Sequence, residues 1–231
     1  MQKVPPTPTL ANMVLRLLLC NWLLAAFAAG ALAQPRTGPV RIVVLGDSLV
    51  AGYQLKASDA FPAQLERALK AKGHNVEVIN AGVSGDTTAA GLERLRWAVP
   101  DDADAVILEL GANDALRGLD PGRAKTNLDR IISTLRSQGI EVMLAGMLAP
   151  RNLGPDYTRA FDGMYPELAQ KYGLLFYPFF LEGIAMNGGL NLGDGIHPNP
   201  KGVAEITKRI LPKVEELITR AQARPPAATK G

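Results

Sequence analysis

Cysteine is almost absent from this 231-residue chain. The single cysteine, Cys20, lies in an apolar run near the amino terminus that we expect to be removed from the mature protein. The mature chain would then contain neither a disulfide nor a zinc site built from thiolates. Outside the cytoplasm, such a chain must be stabilised by its core alone.

Acidic residues are missing from the first 33 positions, where Lys3 and Arg16 are the only charges. The run Leu17–Ala33 is mostly apolar and ends in Ala31-Leu32-Ala33, which places small residues where a signal peptidase reads them. This pattern predicts a signal peptide over residues 1–33 and a periplasmic or secreted protein. The alternative is an uncleaved membrane anchor, for which the run is short, since a span needs ~20 apolar residues.

A strongly basic surface is also lacking. The chain carries a net charge of +3, and removal of the two basic residues of segment 1–33 leaves +1. No basic patch with interleaved aromatic residues is present, so we do not expect a nucleic-acid partner. The sequence contains no Gly-x-Ser-x-Gly elbow, no phosphate-binding Gly-x-x-x-x-Gly-Lys-Ser/Thr loop and no His-Glu-x-x-His zinc motif. We therefore expect no metal and no cofactor.

Strand and helix patterns alternate along the rest of the chain. Short β-branched or apolar runs predict strands over 41–45, 76–79, 105–110, 140–145 and 174–177. Apolar residues at helical spacing predict helices over 60–72, 87–99 and 158–172. A further helix, with its apolar stripe over 124–135, is opened by Asp120-Pro121 and closed by Gly139, and a last helix opens at Pro200 with its stripe ending at Leu217. This alternation predicts an α/β fold in which helices cover both faces of a parallel sheet. We expect one domain over residues 34–223, opened by a linker over 34–39 and followed by a disordered tail over 224–231.

Unusual polar residues follow the predicted strands. Ser48 follows the first strand, Gly85 the second and Asn113 the third, while Asp194 and His197 lie in the last glycine-rich loop. Loops that follow parallel strands open at the same edge of a sheet, where ligands bind. We therefore expect these five residues to meet in one crevice.

A serine, a histidine and an aspartate in one crevice can perform nucleophilic catalysis. A serine hydroxyl needs a base to take its proton, and the base needs an acceptor that fixes its tautomer. His197 and Asp194 could supply these two functions to Ser48 from one turn. The other histidine, His74, is expected at the opposite edge in a solvated loop.

Backbone and amide N–H groups in the same crevice could stabilise an oxyanion. The candidates are the N–H groups of Ser48 and Gly85 and the carboxamide of Asn113. Each residue also has a purely structural interpretation. Asp47-Ser48 and Asn113-Asp114 could cap helices, Asp194-Gly195 could form an ordinary turn, and Gly85 could supply a positive φ.

Four sequence blocks resemble those of the GDSL, or SGNH, hydrolases, in the same order. They are Gly46-Asp47-Ser48-Leu49, Gly82-Val83-Ser84-Gly85-Asp86-Thr87, Gly111-Ala112-Asn113-Asp114 and Asp194-Gly195-Ile196-His197-Pro198. The chain is most similar to the periplasmic thioesterase I, lysophospholipase L1 and arylesterase subgroup. The subgroup often has a second glycine where this chain has Ala112, which puts the acyl-chain preference in doubt.

The resemblance implies a flavodoxin-like, three-layer α/β/α sandwich that hydrolyses acyl esters and thioesters without a metal. Ser48 would be the nucleophile, His197 the base and Asp194 its orienting partner. Ser48, Gly85 and Asn113 would form the oxyanion hole.

Two other functions stay open at this point. One is a carbohydrate deacetylase on the same fold, and the other is a non-catalytic periplasmic binding module. Apolar residues in the predicted substrate loops favour a lipid-like acyl group over a sugar; these are Leu116, Leu119, Met147, Leu148 and Leu153. The intact set of serine, glycine, asparagine, aspartate and histidine argues against a binding module.

Overall fold

The computed structural model describes residues 38–224, and all five strands in that stretch join one parallel sheet. The strands are β1 (Val40–Gly46), β2 (Val76–Gly82), β3 (Ala105–Glu109), β4 (Glu141–Ala145) and β5 (Leu175–Tyr177). Their order across the sheet is β2-β1-β3-β4-β5. The predicted signal peptide, most of the linker and residues 225–231 lie outside the described residues, so those predictions stay predictions.

Helices pack on both faces of the sheet. They are α1 (Ser48–Ala51), α2 (Phe61–Ala71), α3 (Thr88–Glu93), α4 (Leu95–Ala98), α5 (Ala112–Leu116), α6 (Pro121–Ser137), α7 (Pro155–Tyr172) and α8 (Pro200–Gln222). Helix α8 packs on α2 and crosses four strands, whereas α6 and α7 pack on each other and on β4. The result is a three-layer α/β/α sandwich with the flavodoxin-like strand order, which confirms the predicted fold class.

The three inner strands are buried on both faces. Every residue of β3 and β4 is buried, and so is every residue of β1 except Arg41. Strands covered on both sides are mostly apolar, which explains the Val/Ile/Leu runs. The exceptions in β3 and β4 are Glu109 and Glu141, which are buried at strand ends. No helix in the stretch 38–224 combines the length and apolarity needed to cross a bilayer.

Strand β2 is longer than its sequence suggests. The prediction ended this strand at Ile79, because Asn80-Ala81-Gly82 resembles a turn, but the ladder with β1 continues until Gly82 lies opposite Gly46. Helix α1 packs directly on this strand end. A Cβ at Gly82 would lie 2.3 Å from the backbone nitrogen of Ala51, so glycine is required by the close approach.

The predicted helix over 87–99 is wrong in detail, because the chain forms two short helices that are separated at Arg94. The Arg94 side chain turns inward there. Its Nε donates to Asp86 Oδ2 at 2.5 Å and its Nη2 donates to the Gly46 carbonyl at 2.9 Å. Thr87 caps α3 by accepting from the Ala90 N–H. The interruption falls where a charged side chain binds partners distant in sequence, which periodicity cannot reveal.

Two expectations at the amino edge of the sheet need correction. His74 does lie at that edge, but its Nε2 is 3.0 Å from Glu215 Oε1 on α8, so it is a bound rather than a solvated residue. Arg224, predicted to begin a disordered tail, lies 2.6 Å from Glu141 and also donates to the Gly139 carbonyl.

Candidate active site

A sharp turn between β1 and α1 presents Ser48. Asp47 caps α1 by accepting from the Leu49 N–H at 3.0 Å, and Ser48 is the first residue of the helix. Backbone N–H groups in a first helical turn have no partner inside the helix. A Cβ at Gly46 would lie 2.4 Å from Val50 Cγ2 and 2.7 Å from the Glu109 carbonyl, so glycine alone fits the turn. The capping interpretation thus holds for Asp47 and not for Ser48.

The structure brings Ser48, His197 and Asp194 into one line of contacts. Ser48 Oγ lies 2.9 Å from His197 Nε2, although 149 residues separate them. His197 Nδ1 lies 2.7 Å from Asp194 Oδ2. A carboxylate can only accept, so Nδ1 carries the proton and Nε2 is left as the acceptor for the serine hydroxyl. This is the geometry of a serine nucleophile with an oriented base.

The turn that carries His197 is built around the Asp194 carboxylate. Asp194 Oδ1 accepts from the N–H groups of Ile196 at 2.9 Å and His197 at 3.0 Å, and Gly195 between them has φ of +70°. Hydrogen bonds lower the pKa of Asp194 to about 2. The His197 N–H contributes most, followed by the Ile196 N–H and then the His197 ring. The structural interpretation of this turn therefore holds, and the carboxylate that shapes the turn also contacts the His197 ring.

Asn113 extends an amide toward the same turn from the end of β3. It is the second residue of α5, and its Nδ2 donates to Asp47 Oδ2 at 3.1 Å. An amide nitrogen has two hydrogens, so the second is available to another acceptor.

Gly85 is tied to the site indirectly. Two residues before it, the Val83 N–H donates to the Gly46 carbonyl at 3.1 Å, which fixes the loop against the Ser48 turn. Gly85 has φ of +87°, and its carbonyl accepts from Arg117 Nη2 at 2.8 Å. Within residues 38–224, no acceptor takes a hydrogen bond from the Gly85 N–H. Gly85 is outside the lining of the cleft described next.

An open cleft of about 200 Å³ borders Ser48, Asn113 and His197. Its walls are mostly apolar and include Leu49, Ala115, Leu116, Met147, Leu148, Pro150, Leu181 and Ile196. Of the five apolar residues predicted for the substrate loops, Leu116, Met147 and Leu148 line it; Leu119 and Leu153 lie outside its lining. Ala112 also lines the cleft beside Asn113. No group of three or more His, Cys, Asp or Glu side chains in the described stretch could hold a metal ion.

The model of the GDSL-like Lipase/Acylhydrolase family matches residues 44–205 of this chain. The chain belongs to this family. The match contains all five predicted site residues and confirms the resemblance. With it, the class of enzyme is established as a hydrolase that acts on ester bonds.

Individual GDSL-like proteins are similar over most of their length. An arylesterase of Vibrio mimicus is 39% identical over 177 residues, which cover 75% of this chain and 88% of the relative. The thioesterase 1/protease 1/lysophospholipase L1 of Escherichia coli (strain K12) is 38% identical over 77% of this chain and 84% of its own. The solved structure of AlinE4, an SGNH-hydrolase family esterase, superposes with a TM-score of 0.66 at 46% identity, covering 78% and 97% of the two chains.

Tyr53 is a neighbour of this GDSL-like site that the sequence analysis missed. Its ring centroid lies 4.4 Å from that of His197, with the two planes tilted by 36°. Helix α1 has only four residues and is capped by Gly52 in the left-handed conformation. The N–H groups of Gly52 and Tyr53 both donate to the Ser48 carbonyl, so Tyr53 lies close to the Ser48 turn. A short helix that begins at Ser48 and is closed by glycine is the feature that could have placed Tyr53 here.

A buried bond between α3 and α5 was also missed. Asp114 accepts from the Thr88 backbone N–H at 2.8 Å and from the Thr88 hydroxyl at 2.7 Å. Asp114 is 3% exposed. The bond fixes the loop that carries Gly85 against the helix that carries Asn113, so two proposed oxyanion donors keep a constant separation.

Proposed function

We propose that this chain hydrolyses acyl esters and thioesters through an acyl intermediate on Ser48. The observation that carries the proposal is the pair of contacts of His197, at 2.9 Å to Ser48 and at 2.7 Å to Asp194. Ser48 is the nucleophile, His197 the general base and Asp194 the group that orients the ring.

The reaction follows from the proton positions. As Ser48 Oγ bonds to the acyl carbon, His197 Nε2 takes its proton, and the carbonyl oxygen becomes an oxyanion. The Ser48 and Gly85 N–H groups and Asn113 Nδ2 donate to this oxyanion. The carbonyl re-forms, the bond to the leaving oxygen or sulfur breaks, and His197 returns the proton to that atom. Water then repeats the sequence on the acyl-serine and releases the acid.

The cleft supports an apolar acyl group as the bound part of the substrate. Its walls expose mostly carbon, and Leu116, Leu148 and Ile196 remain 55%, 41% and 46% exposed, so an alkyl or aryl chain would bury them. A sugar would instead require a ring of polar partners. A panel of aryl esters, acyl-CoAs, lysophospholipids and acetylated sugars tests this preference, and turnover of acetylated sugars alone would contradict it.

The proposed enzyme works in the periplasm or outside the cell, as one domain over residues 34–223, after removal of residues 1–33. It needs no metal or cofactor, binds no nucleic acid and keeps no stable membrane anchor. Amino-terminal sequencing of the mature protein should begin at Gln34. A chain that lacks residues 1–33 should be soluble and active, and EDTA should not change its rate.

A fluorophosphonate probe, which labels activated serines, tests the nucleophile directly. Mass spectrometry should find the adduct on Ser48, and Ser48→Ala should abolish labelling. Ser58→Ala is the matched control, because Ser58 is exposed in a 3₁₀ turn away from the cleft. Labelling that survives in Ser48→Ala would overturn the assignment.

A further inference from the structure

Two carboxyl groups are buried beneath the Ser48 turn, and the mechanism above uses neither. Asp47 and Glu109 are both 0% exposed. The Asp47 N–H points at Glu109 Oε2 from 3.4 Å, and a Cβ at Gly46 would lie 2.7 Å from that oxygen. The Glu109 carboxyl therefore fills the space that Gly46 leaves open.

Within residues 38–224, neither carboxyl forms an ion pair with a lysine or an arginine. The nearby buried guanidinium, Arg94, is bound to Asp86 and to the Gly46 carbonyl. Glu109 Oε1 is buried and receives no hydrogen bond from any donor in the described part of the chain. Two adjacent carboxylates in such a place cannot both be ionised, because desolvation and like-charge repulsion both oppose it.

The hydrogen bonds indicate which carboxyl carries the proton. Asp47 Oδ1 accepts from Leu49 N–H and its Oδ2 accepts from Asn113 Nδ2, so both oxygens act as acceptors. Burial, and then the Asp47 charge, raise the pKa of Glu109 well above its ordinary value. Burial raises the pKa of Asp47 to about 6, while the bonds from Leu49 and Asn113 oppose the rise.

Two other titratable groups face Asp47. The His197 ring lowers the pKa of Asp47 and the Asp86 carboxylate raises it, both less than burial does. Tyr165, buried nearby, donates its hydroxyl to the Leu110 carbonyl. None of these groups donates a hydrogen bond that would stabilise a second negative charge on the pair. One proton must therefore be shared between Asp47 and Glu109.

We propose that Glu109 is a positioning residue that shares one proton with Asp47, and that the pair orients the Asn113 amide toward the oxyanion. The proton is on Glu109 and is donated to Asp47. Asp47 stays an acceptor and binds one N–H of the Asn113 amide. The opposite orientation of that amide is disfavoured, because it would place the amide oxygen against the Asp47 carboxylate. The second N–H is then directed into the site. This inference rests on the proposed role of Asn113 as an oxyanion donor.

Two substitutions at Glu109 separate positioning from packing. Glu109→Gln keeps a neutral donor toward Asp47, so kcat should stay within about tenfold of wild type. Glu109→Met keeps the length but removes the donor, and kcat should fall by ~10²-fold or more with KM changed by less than about threefold, since an oxyanion donor acts on the transition state. Glu141→Gln, at a buried glutamate on the opposite edge of the sheet, is the control and should leave kcat unchanged.

If Glu109→Met does not fold, Asp47→Asn replaces it. An asparagine has only one acceptor oxygen, so it cannot serve both Leu49 and Asn113, and kcat should again fall with little change in KM. The positioning role would be overturned if Glu109→Met folds and keeps kcat within about threefold of wild type. Where Glu109→Met does not fold, the same result for folded Asp47→Asn would overturn it.

Infrared difference spectroscopy tests the shared proton without using activity. Wild type at neutral pH should show the carbonyl band of a protonated, buried carboxyl that shifts in D₂O, and Glu109→Gln should lose it. Absence of the band from wild type would overturn the proposal. Failure of the fluorophosphonate to label Ser48 would instead overturn the proposed function and leave the band in place.

Discussion

The two histidines of the described chain lie at opposite edges of the sheet, and each contacts a carboxylate. His197 Nδ1 meets Asp194 at 2.7 Å, and His74 Nε2 meets Glu215 at 3.0 Å. His197 has its second nitrogen 2.9 Å from Ser48. Glu215 also binds Lys72, whose hydrogen bond is the largest cause of the lowered pKa of Glu215. A histidine–carboxylate pair is thus part of the proposed active site at one edge and part of a surface cluster with Lys72 at the other.

Two buried glutamates repeat this contrast. Glu141, at the amino edge, faces Arg136 at 3.0 Å and Arg224 at 2.6 Å. Glu109, at the carboxyl edge, faces another carboxyl. At the amino edge, two arginines neutralise the buried charge of Glu141 and so stabilise the fold. At the carboxyl edge, no cation in the described chain neutralises Asp47 and Glu109, and their pKa values are raised. Shifted pKa values of this kind are common at functional sites.

Removing the nucleophile should have the largest effect. Ser48→Ala should lower kcat by ~10⁶-fold, as loss of a triad serine typically does, because no acyl intermediate can form. The melting temperature should barely change, since deletion of one oxygen from a half-buried residue creates no core cavity. Initial rates on an aryl ester and a thermal melt measure both. A rate within about tenfold of wild type would exclude Ser48 as the nucleophile.

Matched substitutions in the two histidine pairs should give opposite results. Asp194→Asn should lower kcat by ~10⁴-fold, because the amide favours the wrong tautomer of His197. Glu215→Gln makes the same chemical change at the other edge and should leave kcat unaltered. Steady-state kinetics on both variants test the contrast. Equal losses of activity in the two would mean that the edges are not functionally distinct.

Much of this architecture could be predicted from the sequence because its signals are local. The three inner strands are apolar except at Arg41, Glu109 and Glu141. Ser48 and Asn113 follow strands, and His197 lies in a glycine-rich loop. Parallel strands force such loops to one edge, so topology alone assembles the site.

The parts that sequence analysis missed depend on partners far apart in the chain. Glu109 resembles an ordinary polar residue at a strand end until β1 is placed beside it. Arg94 fits a helical pattern, yet it turns inward to bind Gly46. Buried polar groups are specified by what surrounds them in space, and that information is absent from periodicity.

The free energy of unfolding should depend on pH through Glu109. The pKa of Glu109 is raised in the folded protein above its unfolded value, which is near 4.5. The protonated carboxyl therefore stabilises the folded state fully below pH 4.5, and this contribution is lost as the pH rises toward the folded pKa. Relative to Glu109→Gln, wild type should therefore lose up to ~1.4 kcal/mol per pH unit above about pH 4.5. Urea unfolding at several pH values measures the difference, and a constant difference would contradict a raised pKa.

Glu141→Gln provides the comparison from the amino edge. Its carboxylate is paired with two guanidinium groups, so this substitution should already cost stability at pH 7. A Glu141→Gln protein as stable as wild type at that pH would show that the arginines do not compensate a buried charge.

The smallest effect is expected in the cleft wall. Leu148→Asp places a charge where an acyl chain would lie, so kcat/KM for a long acyl ester should fall about tenfold more than for an acetyl ester. Met186→Asp is the control, because Met186 is 95% exposed and lies outside the cleft lining. If Leu148→Asp and Met186→Asp each lower kcat/KM by the same factor for the long acyl ester and for the acetyl ester, the cleft does not bind the acyl chain.

The common acyl intermediate is the most direct test of the account. An aryl ester and a thioester with the same acyl chain should form one acyl-Ser48 species after the leaving group departs. With methanol added, water and methanol then compete for that species, so the ratio of methyl ester to free acid should be identical from both substrates, even where their kcat values differ. Ratios that depend on the leaving group, after correction for spontaneous reaction, would mean that water attacks the substrate directly and that Ser48 is not the nucleophile.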